Sequence, residues 1–338
     1  MKGKKNELYY AAITAVLVLA ALVTLLLDYG KLGSILARTD FYLILCAVLF
    51  TAVSYIAHSF SFWSVCRIFK ASIPSRELLE IGFVSSSLTN VLSAAGLPGH
   101  TYRIITMKRN RVAAGDVTAI TVFHTYFNNA VFFLLLPLSL LFIFNASFIT
   151  RGELLGLAAA ALIFVMFFLM STAALFKKNV RMKLTGLIVS LADIFHKRKP
   201  VADFMDNFGT AIERGKQQSQ KRPFLLFSLI VFLVADWVSM ILTLGYCFAA
   251  FGSEVGFGKL LVGFTSGIAA GALSFIPGGL GIFESSMAGM FAILGTGLEN
   301  AVLAVLLFRF IYYLLPFGFS LLFFGKIILE SRREAKTT

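Results

Sequence analysis

The sequence predicts an all-α polytopic membrane protein with six long transmembrane helices and two broken or re-entrant helical elements, and three observations carry that prediction. First, 58% of the 338 residues are hydrophobic, only 14% are charged, and phenylalanine occurs 36 times. A water-soluble globule of this length cannot bury so much apolar surface, because burial is limited by surface-to-volume scaling. Second, six apolar stretches reach the roughly 20 residues that a helix needs to cross about 30 Å of hydrocarbon. Third, basic residues collect between alternate stretches, as the positive-inside tendency requires.

The long stretches run over about 8–27, 41–62, 117–144, 154–176, 224–250 and 300–325. Lys2, Lys4 and Lys5 precede the first of them, as in a signal peptide, but no small-residue cleavage site follows and further spans do, so a retained first helix is expected. Two other apolar stretches do not read as simple spans. Residues 78–97 carry Ser85, Ser86, Ser87, Thr89, Asn90 and Ser93 and end at Gly96-Leu97-Pro98-Gly99; residues 260–294 are interrupted by Pro277-Gly278-Gly279-Leu280-Gly281. Backbone broken at membrane depth has to be buried in protein or face a watery cavity, because hydrocarbon cannot satisfy freed N–H and C=O groups. Counting each broken element as paired short spans gives eight crossings as the alternative.

Orientation follows from the basic residues. With six crossings and the N-terminus inside, the inside receives the first lysines, seven basic residues from Arg67 to Arg111, the 177–222 segment, and Arg332, Arg333 and Lys336. The outside receives Lys31, Arg38, Arg151 and Lys259 against Asp28, Asp40, Glu153, Glu254 and Glu299. A multi-pass cell-membrane protein with both termini cytoplasmic is therefore expected. The two broken elements then enter from opposite sides, each followed by a long helix, which is the pattern of an inverted repeat.

The expected organisation is a single transmembrane domain over 1–330 and a short cytoplasmic tail over 331–338. Within the domain, residues 177–222 hold eleven basic and four acidic residues. Leu184, Leu187, Ile188, Leu191, Ile194 and Phe195, then Phe204, Phe208 and Ile212, recur at helical spacing, so this cytoplasmic segment reads as basic and amphipathic. It is either a solvated loop or a helix meeting anionic headgroups at the inner surface.

The formal net charge of +13 does not mark a nucleic-acid binder, because the basic residues lie between apolar runs and form no continuous face. Cys46, Cys66 and Cys247 are far apart and make neither a metal spacing nor a disulfide framework. No metal and no cofactor is expected.

Charge inside a span is costly and therefore informative. Asp236 lies mid-way through 224–250, Arg309 in the last long stretch, and Glu284 just beyond the Pro-Gly-Gly break. They either pair with one another and with backbone carbonyls, or serve a ligand. In the second case Arg309 and Arg103 meet a phosphate through charge-assisted hydrogen bonds, while Glu284 receives an amine or positions the arginine. Pro277, Gly278, Gly279 and Gly281 permit a sharp turn whose N–H groups, with the helix start that follows, suit an anion. No Gly-Lys-Ser/Thr follows, so this is not a nucleotide phosphate loop. His124 and Asn128 stand four apart on one helix face with Asn129 beside them; interhelical hydrogen bonding is the expected role, with no catalytic set. His100, beside Arg103 after the Pro98-Gly99 turn, is the first-ranked functional histidine.

At these residues the chain resembles the transmembrane (flippase) domain family of lysylphosphatidylglycerol synthase/flippase, in its stand-alone form without the synthase domain. Pro277-Gly278-Gly279-Leu280-Gly281 with Glu284 is similar to the family's Pro-Gly-Gly-Leu-Gly-x-x-Glu signature, and Arg309 with Pro316 to its last helix. The stretch from Asn90 to Arg103 resembles its other signature, and Asn90 enters the candidate site on that ground. The family usually has an acidic residue after the glycine where this chain has His100, which removes a partner for a cationic amine. The resemblance implies lipid handling, with aminoacylated phosphatidylglycerol moved between leaflets in some members and isoprenoid-linked or glycosyl-transfer pathways served by others. It also implies a homodimer and a separate synthase or transferase partner. About a dozen residues follow the last span, so the chain is not expected to charge a lipid with lysine.

Three functions compete on this reading: a flippase or transporter for a lipid with a phosphorylated headgroup, a membrane transferase using a lipid-phosphate donor, and a scaffold that transports nothing. A chamber reached by Arg103, Glu284 and Arg309 favours the first, convergent acid/base residues the second, and a closed, dry centre the third.

Overall fold

A computed structural model describes residues 29–92, 97–144, 151–194, 198–274 and 277–323; the expected first span over 8–27 and the tail over 331–338 lie outside the described residues. All regular structure among the described residues is helical. After the short α1 (Tyr29–Leu36), α2 (Phe41–Ile68) begins where Asp40 caps it, its carboxylate accepting from the Tyr42 N–H at 2.8 Å. Helices α3 (Ser75–Leu92) and α4 (Leu97–Arg109) form the first broken element, α5 spans Ala114–Phe144 and α6 Arg151–Phe176. Helices α7 (Lys178–Ile194) and α8 (Arg198–Lys221) precede α9 (Pro223–Ala250), which starts with proline at its first position, where a missing N–H costs nothing. The second broken element is α10 (Phe257–Leu273), a 3₁₀ turn at Pro277–Gly279, and α11 (Ile282–Ile293). A final helix, α12, runs over Leu298–Phe323 with one π turn at Phe310–Leu314.

Four of these helices are long and apolar enough to cross a membrane among the described residues: Phe41–Ile68, Ala114–Ser139, Pro223–Ala250 and Leu298–Phe323. Together with the shorter apolar helices they make a polytopic all-α membrane protein. The expected stretches at 41–62, 117–144, 154–176, 224–250 and 300–325 each fall within one helix to within two residues. Residues 177–222 are a two-helix hairpin. Ile212 is buried and Phe208 partly so, while Met182, Leu184, Leu187 and Ile188 stay exposed. The hairpin is anchored by Arg181, which donates to Glu213 Oε2 at 2.9 Å and to the Leu175 carbonyl at 2.7 Å.

Helices α2 and α9 form the central pair. Small and hydroxylated residues line their contact, including Ala47, Thr51, Ser54 and Ser64 on α2 and Ser228 and Thr243 on α9. Small side chains let helix backbones approach closely, which matters where lipid supplies no hydrophobic drive for helix association. The Asp40 N–H donates to the Ala250 carbonyl at 2.9 Å and ties the two helix ends together.

Both broken elements are helix hairpins, and glycine makes their close approaches. A Cβ at Gly99 would stand 2.1 Å from Thr89 Oγ1 and 2.3 Å from the Ser85 carbonyl oxygen, so only glycine lets α4 fold back on α3. In the second element Gly278, Gly279 and Gly281 have φ of 69°, 61° and 82°, the left-handed region that favours glycine. A Cβ at Gly278 would lie 2.8 Å from the Val91 carbonyl oxygen, so this turn packs directly against the end of α3.

Candidate functional site

Polar side chains on α2 begin the site. Ser54, His58 and Ser61 recur at helical spacing and turn one face of an otherwise apolar helix toward α9 and α5. Asp236, buried on α9, accepts from Ser54 Oγ through Oδ1 and from His58 Nδ1 at 2.8 Å through Oδ2. Tyr312 reaches the same centre: its hydroxyl is 2.8 Å from Ser54 Oγ and donates to Asp236 Oδ1 at 3.4 Å, and its carbonyl accepts from Tyr55 Oη at 3.0 Å. The π turn at Phe310–Leu314 supports this geometry by adding a residue to one helical turn, so that Arg309, Tyr312 and Tyr313 all face inward. Asn90 donates to Tyr55 Oη at 3.0 Å, Ser61 Oγ lies 2.7 Å from His124 Nε2, and Trp237 Nε1 donates to Asn128 Oδ1 at 3.1 Å.

Beside this network lies a partly open cavity of about 1110 Å³ between α3, α4, α5 and α6. Five of the sequence candidates line it: Asn90, His100, Arg103, His124 and Asn128. The wall also includes His58, Ser86, Thr89, Thr121 and Asn129, with aromatic residues Tyr126, Phe133 and Phe167 toward α6. It contains no aspartate or glutamate among the described residues.

Arg103 is the cationic member of the wall. It is 6% exposed, its guanidinium lies 4.2 Å over the Phe62 ring, and its Nε donates to Ser85 Oγ at 2.8 Å. Among the described residues it makes no ion pair, and its two terminal nitrogens make no hydrogen bond. Buried guanidinium groups are ordinarily paired, and this one has no carboxylate partner among the described residues. Two further atoms in the wall, His100 Nδ1 and Thr121 Oγ1, are buried with no hydrogen-bond partner.

Glu284 and Arg309 take the structural alternative of the sequence reading. Arg309 Nε donates to Glu284 Oε1 at 2.5 Å, an Arg309 terminal nitrogen donates to the Gly278 carbonyl, and the Gly281 N–H donates to Glu284 Oε2 at 2.7 Å. Glu284 thereby caps the first turn of α11 through the Gly281 N–H, and the Arg309 guanidinium stacks over Phe283 and Tyr313. Neither residue lines the cavity, nor do Pro277, Gly278, Gly279 or Gly281. The chamber is therefore reached by Arg103 but not by Glu284 or Arg309, and the glycine turn adjoins it through Gly271, which lines the cavity and packs on Phe283 and Gly279.

His58 is the residue that sequence reasoning missed. It sits in an apolar run, and its partner Asp236 lies 178 positions away, so no local spacing marks it. Its one signal was Asp236, a buried intramembrane carboxylate that required a donor from another helix. Among the described residues no group of three or more His, Cys, Asp or Glu side chains could hold a metal ion.

Comparison with known proteins identifies the family. The family model described as the lysylphosphatidylglycerol synthase TM region matches residues 12–320. A UPF0104 membrane protein of Pyrococcus horikoshii is 23% identical over 319 residues, covering 88% of this chain and 90% of the relative. Phosphatidylglycerol lysyltransferases of several Staphylococcus aureus strains, including COL and MRSA252, are 33% identical over 81 residues, which is 24% of this chain and 10% of those enzymes.

Proposed function

The chain belongs to the family of the lysylphosphatidylglycerol synthase transmembrane region, and from that premise we propose that it moves a lipid with a phosphorylated headgroup between bilayer leaflets. The observation that carries this reading is Arg103, a buried guanidinium with no carboxylate partner among the described residues, on the wall of a polar cavity of about 1110 Å³. Its free terminal nitrogens suit two phosphate oxygens. Asn90, Asn128, Asn129 and the threonine hydroxyls offer donors and acceptors to headgroup hydroxyls. The aromatic residues toward α6 give the acyl or isoprenoid chains an apolar exit.

Wall chemistry also favours one headgroup class. No carboxylate among the described residues lines the cavity to receive an ammonium, Glu284 is occupied by Arg309 and the Gly281 N–H, and His100 stands after the glycine. This supports an anionic, hydroxyl-bearing phosphate headgroup, such as a polyol phosphate or isoprenoid phosphate, over an aminoacylated one. In the arrangement we favour, six crossings place both termini and the basic α7–α8 hairpin on the cytoplasmic side, where seven net positive charges over 177–222 meet anionic headgroups.

Binding of short-chain dihexanoyl phosphatidylglycerol and its lysyl derivative to the purified protein tests the proposal. The unmodified lipid binds the more tightly, and Arg103→Ala weakens it about 10- to 100-fold, the range for hydrogen bonds to a charged group. Equal affinity in wild type and Arg103→Ala would remove the phosphate assignment; preference for the lysyl lipid would remove the headgroup class.

A further inference from the structure

We propose that His58 is a proton-binding site linked to the cavity, so that an anionic headgroup enters together with a proton. The inference rests on the cavity reading above and adds a coupling ion to it. His58 has two different environments on its two ring nitrogens. Nδ1 is 2.8 Å from Asp236 Oδ2, while Nε2 makes no hydrogen bond among the described residues and the ring lines the cavity. A buried carboxylate thus holds one side of an imidazole whose other side is open to whatever fills the chamber.

Asp236 requires such a partner. It lies in the middle of a membrane-crossing helix, and its other donors, Ser54 Oγ and Tyr312 Oη, are neutral. Its one ion-pair partner among the described residues is His58. A carboxylate at membrane depth is costly unless compensated, and among the described residues the one partner that can answer it with a full positive charge is a protonated His58. That proton adds to Nε2 from cavity water while Nδ1–H continues to donate to Asp236, so no other bond changes.

The titratable groups in contact with His58 among the described residues are Asp236 from α9 and His124 from α5; Tyr312 from α12 bonds the same Asp236 carboxylate, and Tyr55 on the helix of His58 packs on Tyr312. Arg103 on α4 approaches across Phe62, whose ring is 4.2 Å from the guanidinium and 5.7 Å from the His124 ring. His124 is less suited to the role, because its Nε2 is 2.7 Å from Ser61 Oγ and it has no carboxylate partner among the described residues. With Arg103 permanently charged, protonating His58 adds a second positive group to the cavity wall. Proton and anion then favour each other reciprocally, as linkage demands. Charge fixes the sign: a proton on His58 favours an anion in the cavity, so affinity for an anion rises as pH falls.

The experiment measures binding of dihexanoyl phosphatidylglycerol to the purified full-length protein between pH 5 and 8, with proton uptake read by an indicator dye in weak buffer. Wild type should gain roughly tenfold in affinity across that range and take up protons on binding. His58→Gln should be held at the weak, high-pH affinity throughout and take up none, while His124→Gln keeps the pH dependence. A pH dependence retained in His58→Gln, or lost in His124→Gln instead, overturns the proposal, as does binding without proton uptake in the wild type. Absence of binding at every pH overturns the cavity reading itself, and this inference with it. Melting temperatures of the variants identify any that fail to fold, and His58→Asn then serves as the second substitution.

Discussion

Glu284 and Arg309 meet across 2.5 Å, 25 residues apart in the chain, with the guanidinium also held by the Gly278 carbonyl and the carboxylate by the Gly281 N–H. The pair ties the broken element to α12 through one set of charge-assisted hydrogen bonds. Arg103 is its opposite: a buried arginine whose charge no carboxylate meets among the described residues.

Removing one member of the Glu284–Arg309 pair leaves the other charge half-buried and without its counter-ion. Glu284→Ala and Arg309→Ala should each lower unfolding free energy by about 3–5 kcal/mol, measured by denaturant unfolding in detergent micelles. The double variant should lose less than the sum of the two, because it leaves no orphaned charge. Additive losses would mean that the two side chains act independently.

Arg103→Met should behave in the other direction. Taking an uncompensated charge out of a buried site relieves its desolvation, so thermal stability stays level or rises while anionic lipid binding falls. A loss of stability comparable to that of Arg309→Ala would place Arg103 in the scaffold.

The glycine substitutions divide by space as well as by φ. Gly278→Ala combines φ of 69° with a Cβ 2.8 Å from the Val91 carbonyl oxygen, whereas Gly252→Ala has φ of 72° and open space. The first should cost more than the roughly 1–3 kcal/mol of backbone strain alone, and the second no more than that. Thermal unfolding of the two variants side by side reads the difference.

Trp237 and Asn128 join α9 to α5 through one hydrogen bond of 3.1 Å. Asn128→Leu leaves the indole N–H without this acceptor at a buried position, and should cost about 1–3 kcal/mol. Trp237→Phe in the same background should recover part of the loss, since no donor is then left unmet.

Much of this architecture was legible because hydrocarbon imposes a plain code. Apolar length marked the helices over 41–62, 117–144, 154–176 and 224–250 and the last one as far as Phe323, and Pro277 to Gly281 marked the break that the glycine conformations require. The site was legible only in part. Asn90, His100, Arg103, His124 and Asn128 converge on one cavity, but Glu284 and Arg309 satisfy each other instead. Sequence indicates that an intramembrane charge needs a partner; it does not say which, because that choice depends on helix rotation and on devices such as the π turn before Leu315. His58 stayed hidden for the same reason, since the pairing that gives it meaning is made between α2 and α9.

The central claim is that the Arg103 cavity carries a phosphorylated headgroup across the bilayer, and its most direct test is leaflet translocation in liposomes containing the purified protein. Chain-labelled phosphatidylglycerol, phosphatidylethanolamine and lysyl-phosphatidylglycerol are followed as they move between leaflets, with Arg103→Ala in parallel. Phosphatidylglycerol should move faster than the two amine-bearing lipids, and folded Arg103→Ala should lose that movement. Movement no faster than in protein-free liposomes for all three lipids, or equal movement in wild type and Arg103→Ala, would contradict the claim.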